Sequence, residues 1–156
     1  YQEYYKLVEY FSRYTKARMG LILGVNNLVE IFDERYYRNL NGGVLEAFGI
    51  LFHRDLKIYV YPSRPSASEE IMTTNTMPIH PRLQPLYDYL LFNKRIVDIE
   101  NYDPNVLHIF SRKVLDMIRA GSNGWEEMVP PYVDNMIKDN RLFGFHPAGK
   151  GQKAEA

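Results

Sequence analysis

Cysteine does not occur anywhere in this 156-residue chain. Disulfides, thiolate metal sites and cysteine nucleophiles are therefore excluded, and the composition fits a cytoplasmic setting. An excess of either charge is missing too, because nineteen Lys and Arg balance nineteen Asp and Glu. A domain whose main work is to neutralise a nucleic-acid backbone would be basic, so nucleic acid is not an expected partner. No apolar run reaches the ~18 residues that span a bilayer, and no basic segment followed by an apolar one has the form of a signal peptide. A membrane is not an expected partner either. The four histidines, His53, His80, His108 and His146, form no His-x-x-x-His or His-Glu-x-x-His pair, so no metal site is expected. His108 stands among apolar neighbours and reads as a core imidazole.

What the chain does have is apolar residues, 46% of the total, and aromatics, 14%, with thirteen Tyr against one Trp. Tyrosine suits half-buried surfaces that keep a polar tip wet. The hydrophobic pattern alternates helices with short strands. Tyr4, Leu7, Val8, Phe11 and Tyr14 recur at helical spacing over residues 1–16. The continuous apolar run Met19–Val25 suits a strand buried on both faces. Asn26-Asn27 is a helix-start signal, and Gly42-Gly43 breaks the helix that follows. A further helix is expected over 44–53 and a β-branched and aromatic strand over 56–62. Residues 63–77 read as a loop. Pro81 or Pro85 starts the helix that carries Leu86, Tyr87, Leu90 and Leu91.

Residues 95–100 alternate as a short edge strand. Residues 106–110 are either a last strand or the beginning of the helix that runs to Gly121, whose glycine suits a left-handed cap. Pro130-Pro131 opens the final helix. The expectation is an α/β fold with three layers, a mostly parallel sheet with helices on both faces. It would form one domain over 1–145, followed by a tail without order over 146–156.

Two places stand out as candidate anion sites. Gly24, Asn26 and Asn27 follow the first strand, where open α/β sheets bind ligands and a helix start offers free N–H groups. Plain helix capping explains the same residues. Ser111, Arg112 and Lys113 bring a hydroxyl and two cations to a helix start and would suit a phosphate. A solvated helix face with a capping Ser explains these. No residue stands out as catalytic: adjacent acids such as Glu126-Glu127 do not share a helix face.

The order Ile118-Arg119-Ala120-Gly121, then Val129-Pro130-Pro131-Tyr132-Val133 through Ile137 and Leu142, resembles the C-terminal end of the nicotinate/nicotinamide-nucleotide adenylyltransferases. Gly24-Val25-Asn26-Asn27-Leu28 resembles the Gly-x-Asp-x-Leu of the same family, with Asn26 in place of the Asp. The chain as a whole is similar to the C-terminal part of longer bacterial proteins of this type. The resemblance implies a nucleotide-binding α/β fold. It also implies transfer of an adenylyl group from ATP, with Mg2+, to a nicotinate or nicotinamide mononucleotide.

Counted back from Gly121, the family's second Ser falls on Ser111. Its first Ser falls on Phe110, its Thr on Arg112, and its phosphate-binding Arg on Leu115. The family's His-x-Gly-His motif is not in these residues and would have to lie upstream of Tyr1. A rival expectation is a non-catalytic protein-interaction or structural domain, with a protein partner or a homo-oligomer in place of the nucleotide.

Overall fold

The computed structural model describes residues 3–64, 66 and 69–147. Where the sequence reads as one domain over 1–145, the chain divides into two compact units, residues 1–103 and 104–156. Of the expected tail, only His146 and Pro147 fall among the described residues.

Unit 1 is an α/β unit. Its elements are α1 (Tyr4–Phe11), β1 (Gly20–Gly24), α2 (Val25–Ile31), α3 (Gly43–Leu51), β2 (Lys57–Tyr61), α4 (Gln84–Phe92) and β3 (Ile96–Asp98). Short 3-10 turns follow α2 and α3. The three strands form a parallel sheet in the order β1-β2-β3. Leu23 pairs with Val60, and Val60 with Asp98.

The burial pattern along the strands decides the layering. Leu23, Ile58, Val60 and Ile96 are buried in one cluster with Val8 of α1, Leu28 of α2, Leu51 of α3 and Leu90 of α4. Residues of the opposite parity face away from these helices. Ile22 is 72% exposed and Tyr59 38%. The expectation of helices on both faces is therefore corrected for this unit: the described helices cover one face. Strand order supplies the reason. Two successive steps in the same direction, each through a right-handed crossover, place both connections on the same side. Covering the second face requires a reversal of strand order, and none occurs among these strands. The same order corrects the reading of Met19–Val25 as a strand buried on both faces.

Thr74, between β2 and α4, is tied down by polar contacts. Thr74 donates its N–H (3.0 Å) and its hydroxyl (2.7 Å) to the two carboxylate oxygens of Asp98. The Thr74 carbonyl accepts from the Tyr87 hydroxyl at 2.6 Å. Tyr37 likewise donates to the Ile31 carbonyl at 2.6 Å. Both phenols are buried, and burial pushes both above the usual tyrosine range. A group that holds its proton more tightly when folded stabilises the fold below its unfolded pKa and loses that contribution above it. Stability should therefore fall as pH rises past ~10, by about 1.4 kcal/mol per pH unit for each phenol. An ultraviolet titration should show two tyrosines ionising only with unfolding. Full ionisation of all tyrosines in the folded chain would refute this.

Unit 2 is helical: α5 (Ser111–Arg119), a 3-10 turn (Trp125–Met128), α6 (Val133–Asp139) and a second 3-10 turn (Leu142–Gly144). Residues 106–110 form neither strand nor helix, and His108 is exposed, which corrects its reading as a core imidazole. Gly121 closes α5 at φ +65°, as a left-handed cap requires. Val114, Ile118, Trp125 and Ile137 make the core. Lys138 of α6 joins the 3-10 turn through Glu126 at 3.1 Å. Backbone hydrogen bonding and this ammonium hold the Glu126 carboxyl below the usual range.

Candidate functional site

The sequence-predicted residues are divided between the two units. Gly24, Asn26 and Asn27 belong to unit 1, and Ser111, Arg112 and Lys113 to unit 2.

In unit 1 the chain passes from β1 into α2 with no intervening loop. Gly24 itself is the N-cap, in extended conformation. The expected capping by asparagine is corrected, because Asn26 and Asn27 lie inside the first turn and no side chain caps it. Asn27 instead donates to the Tyr4 hydroxyl at 3.2 Å. A Cβ built at Gly24 would meet nothing within 4 Å, so the backbone here is open. The helix beyond it has seven residues.

In unit 2 the geometry is fuller. Phe110 precedes α5 in extended conformation and contributes no capping side chain. The first-turn N–H groups of Ser111, Arg112 and Lys113 are thus left without a side-chain acceptor. All three residues are exposed, the first turn holds no acid, and neither Arg112 nor Lys113 forms an ion pair among the described residues. Ser111 and Arg112 also line a cavity of about 480 Å³ whose other walls are apolar, among them Leu115, Ile118, Val129, Val133 and Phe143. This volume is in the range of small-molecule sites, which pair apolar walls with a few polar groups.

Leu115, where the family resemblance would put an Arg, is one of the apolar walls. Sequence reading missed Val129, Val133 and Phe143 as site residues. Their signal was present only as the apolar spacing on either side of Pro130-Pro131.

The arrangement can hold an anion beside an apolar surface. No nucleophile and base are hydrogen-bonded to each other in unit 2 among the described residues, and no three His, Asp or Glu side chains converge there as metal ligands. No described helix is long and apolar enough to cross a membrane.

The fold and the site define a small parallel α/β unit followed by a helical unit with an uncapped, cationic helix start. No family model, curated protein or solved structure matches the chain.

Proposed function

We propose that this chain is the nucleotide-binding part of an adenylyltransferase-like protein, and that unit 2 takes the phosphate-bearing ligand. The observation that carries the reading is the uncapped start of α5, where Ser111 and Arg112 open onto the 480 Å³ cavity. An anionic phosphate is favoured at free helix N–H groups and beside two unpaired cations. A flat base or pyridine ring has the apolar walls of Val129 and Val133 to lie on. ATP with Mg2+ and a nicotinate or nicotinamide mononucleotide are the ligands of this proposal. Adenylyl transfer needs a stabiliser for the charge on the α-phosphate. None of the residues named at α5 supplies one beyond Arg112 and Lys113, so binding is the activity proposed for the chain by itself.

The test is an amide NMR titration with ATP and then with nicotinate mononucleotide. Shifts should cluster at Ser111–Lys113 and at Val129 and Val133. Replacing Ser111 and Arg112 together by Ala should weaken binding roughly tenfold or more, since each charge-assisted hydrogen bond contributes about 1.5–3 kcal/mol. Unchanged affinity in that variant would remove the site assignment.

A second reading, a protein-interaction domain, is favoured by a different observation. Tyr10, Phe11 and Tyr14 form a contiguous aromatic group, with Tyr10 within 5.5 Å of each of the other two rings, centroid to centroid. All three are exposed. Aromatic clusters of this kind are enriched at interfaces. A mass that rises with concentration in light scattering, with no effect of nucleotide, would favour it over the nucleotide reading.

A further inference from the structure

We propose that the amino-end rim of the unit 1 sheet is a second binding site, for a planar organic anion: an aromatic ring that carries a carboxylate or phosphate. The proposal is independent of the phosphate site at α5. It concerns the face of the sheet that α1 to α4 leave uncovered.

Strand register arranges this face in rows. Gly20 pairs with Lys57, and Tyr59 pairs with Ile22 and Val97. Side chains of one parity share a face, so a row with Gly20 and Lys57 lies next to a row of Ile22, Tyr59 and Val97. The first row opens into a cavity of about 430 Å³ whose lining includes Arg18, Lys57, Tyr59, Asp55 and Arg95.

The charges in this cavity are unequally satisfied. Arg95 is occupied: it donates to Asp55 at 2.6 Å and also to the Phe52 carbonyl. Its guanidinium also lies over the Phe52 ring. Arg54 and Asp55 both hold left-handed backbone conformations, at φ 52° and 59°. Such conformations are unfavourable for residues with a Cβ, and here they accompany the Asp55–Arg95 pair. The side chains of Arg18 and Lys57, by contrast, have no hydrogen-bond or ion-pair partner among the described residues. Once the pair is subtracted, two cations remain in a cavity with no other acid in its lining.

Tyr59 supplies the ring surface. Its Cε2 lies 3.0 Å from where a Cβ on Gly20 would be. The phenol therefore leans across Gly20 toward the amino ends of the strands, and a Cβ there would press it aside by a few tenths of an ångström. A flat aromatic ligand can stack on or edge against Tyr59, with its anionic group reaching Lys57 and Arg18.

The experiment uses the full chain and amide NMR, with phenyl phosphate, benzoate and inorganic phosphate as separate probes. Saturable shifts at Gly20, Lys57 and Tyr59 are expected with at least one aryl anion, and the tighter of the two identifies the head group. Inorganic phosphate should bind at least about tenfold more weakly than that aryl anion, because it has no ring to stack. Lys57→Gln should weaken the aryl anion roughly tenfold by removing one charge-assisted contact.

Gly20→Ala should shift the Tyr59 ring by a few tenths of an ångström and weaken binding with the charges intact. Should that variant not fold, Tyr59→Leu removes the ring and keeps an apolar side chain. No saturable shift at these residues would overturn the proposal. So would equal affinity for inorganic phosphate, indifference to Lys57→Gln, or shifts confined to Ser111–Lys113.

Discussion

Ile58→Asp should unfold unit 1, whereas Ile22→Asp should leave it folded. The two isoleucines sit one residue apart in register on neighbouring strands, since Leu21 pairs with Ile58 and Ile22 with Tyr59. Ile58 is fully buried in the cluster shared with α1 to α4. A carboxylate at that position would sit within this apolar cluster and must either desolvate its charge or stay protonated, and both are costly. The expected loss exceeds about 4 kcal/mol, a large part of what a small domain has. Ile22 is 72% exposed and points away from α1 to α4, so an Asp there keeps its water. It should cost under about 1 kcal/mol, chiefly the lower strand preference of Asp. Urea unfolding followed by far-ultraviolet circular dichroism would separate the two. Equal destabilisation would mean that the Ile22 face is covered in solution and that the one-sided layering is wrong.

Trp125→Ala should release the helices of unit 2. Trp125 is the chain's one tryptophan, and it is 1% exposed. It packs with Val114, Ile118 and Ile137, meets Phe145 edge-on at 6.0 Å, and lies under the Lys138 ammonium at 5.4 Å. Truncating a buried tryptophan or phenylalanine costs about 3–5 kcal/mol. A core of four buried side chains has little surplus, because a small unit buries a small fraction of its surface. The amides of α5 and α6 should lose hydrogen-exchange protection in this variant. Retained protection would show that the two helices are held by something other than this core. In the unmodified chain the same residue makes fluorescence a selective reporter of unit 2.

The element types were legible from local pattern. Helical spacing marked α1, α3, α4, α5 and α6, and the β-branched and aromatic run marked β2. Gly121 announced its left-handed cap, because a positive φ is a property of the residue itself. The candidate site was legible only in part. Ser111, Arg112 and Lys113 could be singled out from the residue types at a helix start. The cavity beside them could not, since it requires residues from α5, α6 and both turns to face one another.

Periodicity along one segment fixes which residues share a face, and this the sequence determined by itself. It does not fix whether that face is covered. The run Met19–Val25 is apolar at nearly every position, yet Leu23 is buried and Ile22 is open. That difference was decided by the order of three strands and the side on which their crossovers return. The free cations were decided in the same way. Arg95 is neutralised by Asp55, forty positions away, while Arg18 and Lys57 find no acid among the described residues. Which charge meets which depends on distances in space, and those exist only once the chain has folded.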